Sequence, residues 1–407
     1  MNRAMNQAWL TVVGIGEDGL AGLTPAARAL VESAEILVGG QRHLALVPGG
    51  TAERIPWGKD FAADAAGLVR FRGRRVVVLA SGDPLDFGAG AVLARRFTPA
   101  EMTIVPAPGS IALACARLGW GRADVDVVSV HGRSLDSLSV HLTPGVRLLA
   151  LSRDGNSPAE IATLLTERGF GPSPMTVFER LGGPAERRLD GVASSWPGGP
   201  AADLNIVAIE CRAGPDARAW SRLAGLPDGA YRHDGQITKR EVRAATLAAL
   251  APTPGESLWD LGAGSGSVAI EWLRADWRMR AVAVERDAGR VHAIAANAHA
   301  LGVPHLKIVA GEAPEVFPTL GGPPDAIFAG GGLASDGFLE ACWQALRPGG
   351  RLVANGVTLE AEEKLLDGRK RHGGTLTRLT VEREAFIGPR LALKPLMAVL
   401  QWAAVKP

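Results

Sequence analysis

Apolar residues in the first half of the chain fall in short continuous runs, separated by stretches of helical periodicity. The runs read "LTVVGIG", "RVVVLASG", "EMTIVPAPG", "VDVVSVHG", "VRLLALS", "MTVFERL" and "LNIVAIE". Unbroken Val/Ile/Leu runs of this length predict strands covered on both faces, as in a sheet flanked by helices. The pattern stops after Glu210. The following "CRAGPDARAWSRLAGLPDGAYRHDG" is rich in glycine, proline and polar residues and predicts a linker. A helix is then expected in "TKREVRAATLAALA", with Thr238 as N-cap, Glu241 completing a capping box, and Pro252 and Pro254 as the stop. From "SLWDLG" onward strand and helix alternate regularly. Two strand-like segments, "LTRLTVERE" and "LKPLMAVLQWAAV", predict a closing hairpin. The expected class is α/β, with domains at 1–212 and 235–407 joined by a linker at 213–234.

The chain has 407 residues, more than one ordinary core supports. No run approaches the ~20 apolar residues of a membrane span. The N-terminal "MNRAMNQAWLTVVGIGEDG" reads as a first strand and not as a signal peptide, because acids and glycines follow its apolar piece. Cys115, Cys211 and Cys342 are too few and too scattered for a disulfide framework, and no Cys/His spacing suggests zinc. No metal is expected, and the cytoplasm is the expected compartment. The net charge of +2, without a basic block, argues against a dedicated nucleic-acid binder.

Two glycine-rich turns stand out. In "DLGAGSG" a strand runs through Asp260 into Gly262, Gly264 and Gly266 and then a helix. That geometry presents free backbone N–H groups to a ligand. Glu285 ends the next strand, roughly 20 residues on, where a carboxylate can accept ribose hydroxyls. The spacing G-x-G-x-G is not the dinucleotide fingerprint. Asp260 would repel a pyrophosphate but suits a cofactor with an amine, held directly or indirectly. S-adenosylmethionine (SAM) has an amine, a ribose and no phosphate. A plain strand-to-helix turn is the other reading.

From Thr238 onward the chain resembles the class I SAM-dependent methyltransferases, and within them the precorrin-6B methyltransferase/decarboxylase group. The motifs are "ITKREVRA", "DLGAGSGSVAIEW", "VERDAGR", "GEAPE", "IFAGGG" and "LRPGGRLVANGVTLE". The resemblance implies SAM contacts at Gly311, Glu312 and Ala313 besides those above. It implies substrate contacts at Lys239, Arg240 and Arg243, the first and last being helical neighbours, and at Gly330, Gly331 and Gly332. The base-methylating signature [ND]-P-P-[YF] is replaced by "AGGG", whose missing side chains leave room for a broad, flat substrate.

The other turn, "VVGIGEDG", is followed by "ILVGGQRHL", "VVVLASGDPLDFGAG", "VPAPGSIALACARLGW" and "LSRDGNSP". In order, these resemble the tetrapyrrole methylases, a two-lobed SAM-dependent fold, over roughly residues 9–212. The nearest branch methylates C5 of a precorrin. The resemblance implies a SAM region at Gly82, Asp83, Pro84, Gly109 and Ser110, with Gly14 and Gly16 near the substrate trough. Arg153 stands where that family has a small or polar residue. His131 and His233 are candidate substrate contacts; surface histidines are the other reading.

Together the resemblances imply an α/β chain in which a two-lobed tetrapyrrole methylase fold precedes a Rossmann-like class I domain. They imply two SAM sites, C5 and C15 methylation of precorrin-6B with loss of the ring-C acetate carboxyl, giving precorrin-8 in cobalamin biosynthesis, and a homo-oligomer (dimer or tetramer). One alternative keeps only the C-terminal domain catalytic, the N-terminal domain serving as a tetrapyrrole-binding scaffold. No catalytic acid or base is singled out.

Overall fold

The computed structural model describes residues 8–407, which fall into two compact units. The first comprises the chain up to Leu135 and Thr143–Arg218; the second comprises Asp136–Leu142 and Ala219–Pro407.

The first unit holds two five-stranded sheets. β1 (Leu10–Ile15), β2 (Ile36–Gly39), β3 (Glu53–Pro56), β4 (Val76–Ser81) and β5 (Met102–Val105) form an all-parallel sheet in the order β3-β2-β4-β1-β5. Val76–Ala80 are all buried, which explains why β4 reads as an unbroken apolar run. The second sheet is mixed. It contains β6 (Val125–Ser129), β7 (Arg147–Leu151), β8 (Pro174–Glu179), β9 (Arg187–Val192) and β10 (Asn205–Glu210), ordered β6-β7-β10-β8-β9. The two sheets agree with the expected two-lobed organisation.

The second unit is built on β11 (Ser257–Leu261), β12 (Arg280–Glu285), β13 (Lys307–Ala310), β14 (Ala326–Ala329), β15 (Arg351–Gly356), β16 (Thr375–Leu379) and β19 (Val399–Val405), ordered β13-β12-β11-β14-β15-β19-β16. The first five are parallel; β19 runs antiparallel to both neighbours. Strand order reverses between β11 and β14, where a crevice forms at the carboxyl ends of a doubly wound sheet. The closing segments make two antiparallel pairings instead of the single hairpin expected. β16 joins β19 in the sheet, while β17 (Glu382–Ile387) and β18 (Arg390–Pro395) form a separate ribbon. The ribbon leaves Phe386, Ile387, Leu391 and Leu393 more than half exposed.

The expected linker at 213–234 divides between the units: up to Arg218 it groups with the first, where the Gly214 amide donates to the Gly169 carbonyl at 2.8 Å. From Ala219 onward it belongs to the second unit, and Leu226 and Tyr231 are buried in that unit's core. Its lost periodicity reflects irregular backbone held by side chains: Arg274 donates to the carbonyls of Trp220 and Ser221, and Glu271 accepts from the amides of Gly225 and Leu226. The segment 136–142, expected within the N-terminal domain, groups with the second unit.

The capping box also fails to form. The helix spans Arg240–Leu250 with Lys239 as its N-cap and no side-chain cap. The helix starts one residue later than expected, which makes Glu241 its second residue and not the third, and the Glu241 carboxylate accepts from Arg383 at 2.6 Å.

Candidate cofactor and substrate cleft

In the second unit a cleft of about 740 Å³ opens at the carboxyl ends of β11, β12, β14 and β15. Gly262, Gly264, Glu285, Glu312, Ala313, Gly330, Gly331, Gly332 and Lys239 line it, with Ala263, so most of the second unit's residues singled out in the sequence converge there. The glycines have a steric reason. A Cβ on Gly262 would sit 2.9 Å from the backbone of Gly331, in a conformation with φ +71°. The turn after β11 and the triple glycine after β14 therefore pack backbone on backbone. On Gly330 a Cβ would strike the Phe328 ring at 2.9 Å. Gly266 borders the helix behind the turn, where a Cβ would meet Ile294 at 2.8 Å. It is not among the lining residues, and neither is Gly311.

Glu285 is the buried one of the two carboxylates in the cleft, Glu312 being exposed. One oxygen accepts from the Gly264 amide at 2.8 Å; the other accepts from the amides of Arg286 and Asp287, both at 3.0 Å. These bonds fix the carboxylate at the floor and shape the glycine turn. A carboxylate offers about four acceptor positions, so capacity remains for a hydroxyl arriving from the cleft.

Asp260 lies behind that floor. One oxygen accepts from the Ala269 amide at 3.0 Å, and the other, fully buried, has no partner among the described residues. Burial, with the charge of Glu285 adding to it, pushes its carboxyl up to about 7. Asp260 does not line the cleft, so any influence on a ligand amine is indirect.

The cationic helix is organised differently from the expectation. Arg243 is fully buried and outside the cleft. Its guanidinium donates to Glu271 at 2.6 Å, to the Thr238 carbonyl at 2.5 Å and to the Leu226 carbonyl, and lies over the Tyr231 ring. With its donors spent this way it cannot grip a substrate carboxylate; helical neighbourhood to Lys239 was a misleading signal. Arg240 is exposed and also outside the lining. Lys239 remains, and two cations that the sequence reading passed over, Arg286 and Arg290, join it. Arg286 pairs with Glu312 at 3.0 Å and Arg290 with Asp234 at 2.9 Å. Val381, Leu396, Met397 and Val399, around the β17–β18 ribbon, supply an apolar wall. His233 accepts from the Gly235 amide and lines a smaller hollow of about 280 Å³.

In the first unit, three turns at the carboxyl end of the parallel sheet meet. A Cβ on Gly14 would lie 1.9 Å from the Gly82 carbonyl oxygen, and one on Gly82 would lie 2.4 Å from the Gly109 Cα. Close packing is thus sufficient reason for glycine at 14. At Gly16 a Cβ would meet the Asp18 carboxylate at 2.7 Å. Asp83 accepts from the Leu85 amide at 2.8 Å, the self-bonded turn expected of "GDP" around Pro84. Gly109 precedes the helix Ser110–Leu118. Arg153 is exposed and bonded to Asp154 and Glu160, and His131 is exposed.

Beside those turns lies a cluster to which the sequence reading assigned no role. Arg42 pairs with Glu17 and donates to Ser81 at 2.8 Å, and His43 Nε2 meets the Ser81 hydroxyl at 2.7 Å. Burial and the Arg42 charge lower His43 to about 4, so it is neutral at pH 7. Only "ILVGGQRHL" hinted at it.

Two family profiles match the chain: tetrapyrrole (corrin/porphyrin) methylases over residues 9–195, and a precorrin methyltransferase domain over residues 229–406. A Sinorhizobium protein named precorrin-6Y C(5,15)-methyltransferase [decarboxylating] is 49% identical over 404 residues, 99% of this chain and 98% of the relative. The chain belongs to the family of decarboxylating precorrin-6Y C5,15-methyltransferases. A Mycobacterium tuberculosis family member is 42% identical over 98% of this chain and 100% of its own length. A Salmonella typhimurium protein named cobalt-precorrin-7 C(5)-methyltransferase is 38% identical over 44% of this chain and 88% of its own. The crystal structure of the C-terminal domain of the Rhodobacter capsulatus precorrin-6Y enzyme is 42% identical, with a TM-score of 0.44, covering 46% of this chain and all of that one. Among the described residues no helix is long and apolar enough to cross a membrane.

Proposed function

We propose that this family member carries out two SAM-dependent methylations of one precorrin, at C5 in the first unit and at C15 in the second, and that the second unit also releases the ring-C acetate carboxyl as carbon dioxide. The carrying observation is the cleft of the second unit, where a bonded carboxylate, Glu285, faces a glycine-lined opening and an apolar wall. The donor set fits SAM: an acceptor for ribose hydroxyls, exposed turn backbone, and no phosphate-binding fingerprint. In the first unit the packed turns around Gly82 and Gly109 are the corresponding SAM region. A scaffold role for that unit is the weaker reading, because its sequence matches the tetrapyrrole methylase profile and a relative matched over 44% of this chain is named as a C5-methyltransferase.

SAM, when bound, supplies an electrophilic methyl on a sulfonium. The protein's task is to align that methyl with an electron-rich bridge carbon and to exclude water. Phe328, Phe338, Val357 and Met397 make the exclusion surface. Lys239, Arg286 and Arg290 are placed to meet the peripheral carboxylates of a precorrin. They should hold carboxylates other than the departing one, since a tight salt bridge to that group stabilises the ground state more than the transition state. Homo-oligomerisation is part of this reading; the exposed apolar ribbon at Phe386–Leu393 supports it.

Glu285→Ala should weaken SAM binding in the second unit by about 1.5–3 kcal/mol, roughly 10- to 150-fold. Glu285→Gln, which keeps the shape and one acceptor, should lose less. Titration calorimetry on the full chain should show two SAM sites falling to one at working concentrations. Two unchanged sites in Glu285→Ala would remove Glu285 from the cofactor site.

A further inference from the structure

The segment "NGVTLE" begins with Asn355 at the end of β15, and neither cofactor binding nor carboxylate gripping accounts for it. Asn355 lines the cleft. Its amide is locked from behind by two buried residues on other elements, Thr246 on the helix Arg240–Leu250 and Gln401 on β19. Thr246 donates its one hydroxyl hydrogen to the Val242 carbonyl at 2.8 Å. It can therefore only accept from both amides, Asn355 Nδ2 at 2.8 Å and Gln401 Nε2 at 3.2 Å. Gln401 also donates to Asn355 Oδ1 at 3.0 Å. Each bond leaves the others one way to run, so the Asn355 amide cannot flip. One Nδ2 hydrogen goes to Thr246, and the second has no partner among the described residues.

A polar group fixed this thoroughly in a wall of Phe328, Phe338, Val357 and Val399 is an organised donor. It sits well away from the nucleoside side of the cleft. Glu285 ends β12 and Arg286 follows it, three strand positions from β15, or about 14 Å at ordinary strand spacing.

We infer that Asn355 donates its free Nδ2 hydrogen to the acetate carboxylate that leaves as carbon dioxide and so orients that acetate for bond cleavage, with Thr246 and Gln401 as positioning residues. This rests on the function proposed above and names the group that serves its decarboxylation. In the step, the bond between the acetate methylene and its carboxyl breaks, and its electron pair enters the conjugated iminium of the macrocycle. The carboxyl departs as carbon dioxide, and the methylene carbon takes a proton from water to become a methyl. Cleavage requires the breaking bond to stand out of the ring plane. A neutral, immobile N–H holds the carboxylate in that pose without the ground-state stabilisation of a lysine or arginine. The surrounding apolar side chains disfavour the carboxylate relative to uncharged carbon dioxide.

The test uses the full chain with precorrin carrying a labelled acetate carboxyl and methyl-labelled SAM, following carbon dioxide release, methyl transfer and SAM affinity. Asn355→Ala should slow carbon dioxide release 10- to 100-fold, lower the ratio of carbon dioxide to transferred methyl, and leave SAM affinity within about twofold. Thr246→Val, which frees the amide to turn, should slow release about 3- to 10-fold, with Thr246→Ser restoring it. Should Asn355→Ala not fold, the Val/Ser pair decides. Unchanged carbon dioxide release in Asn355→Ala, or equal release from Val and Ser variants, would overturn the assignment. A parallel loss of SAM affinity would overturn it too, since Asn355 would then serve the cofactor. If the unmodified chain itself released no carbon dioxide, the functional reading would fail first, which separates the two.

Discussion

Arg243→Ala should unfold the second unit far more readily than it harms any surface contact, with an expected loss of about 3–5 kcal/mol. Arg243 and Glu271 are buried together, 2.6 Å apart. Glu271 also accepts from the amides of Gly225 and Leu226 and from the Tyr231 hydroxyl at 2.9 Å. The pair thereby ties the helix Arg240–Leu250, the helix Ser267–Ala275 and the irregular segment before them into one piece. Truncating the arginine leaves the Glu271 carboxylate in the core without its bonded countercharge; Arg274, buried nearby, donates to backbone carbonyls instead, so this is the expensive way to break a buried pair. Denaturant unfolding of the full chain, following the transition of the second unit, measures the loss. Glu271→Gln, which keeps an acceptor and removes the charge, should lose less than Arg243→Ala. If Arg243→Ala instead left stability intact and weakened only precorrin binding, Arg243 would be a substrate residue after all.

Asp260→Asn should stabilise the SAM-free second unit, and the gain should depend on pH. The folded-state carboxyl is raised to about 7 by burial, whereas the unfolded chain has the ordinary value of 3.8. Below pH ~4 both states carry the proton and the residue is neutral in the balance. Between pH ~4 and ~7 the unfolded chain ionises while the folded one retains its proton, so stability falls as pH rises. Above pH ~7 the cost is complete, at most about 4 kcal/mol for a shift of roughly three units. Asparagine keeps an oxygen for the Ala269 amide and removes the charge, but it places an amide where the wild-type oxygen has no partner. A net gain of about 1–3 kcal/mol at pH 8, turning into a net loss of about 1–3 kcal/mol near pH 4 where only the cost of the unpaired amide remains, is therefore expected. Thermal unfolding of both chains across that range tests it; a pH-independent difference would contradict the buried-carboxylate account. The gain should come with weaker SAM binding, as expected where a site is held at the cost of stability.

What the sequence made legible was local. Each glycine turn follows a strand and precedes a helix, so Gly262, Gly264 and Glu285 were readable from spacing, and the fold returned them to one cleft. The alternation of apolar runs likewise gave the two sheet-based units. The failures share a cause. The positions of Lys239 and Arg243 on one helical stretch say nothing about which side of the helix meets the core, and Arg243 faces inward. Thr238 and Glu241 have the spacing of a capping box, but Arg383, far along the chain, claims the glutamate. The segment from Ala219 to Asp234 lacks periodicity because side chains hold its backbone, which no local pattern records. The cluster of Glu17, Arg42, His43 and Ser81 is assembled only by the parallel order of β2, β4 and β1. Asn355 could be flagged by its motif, yet its fixed orientation depends on residues 109 and 46 positions away.

The division of labour between the units is the central claim, and labelled turnover by the Glu285→Ala full chain tests it most directly. Wild type should place methyl-labelled carbon at both C5 and C15 and release carbon dioxide, with positions assigned by NMR. Glu285→Ala should still methylate C5 while losing the C15 methyl and the carbon dioxide. Loss of both methyls together, or retention of both, would contradict two independent methyl-transfer sites.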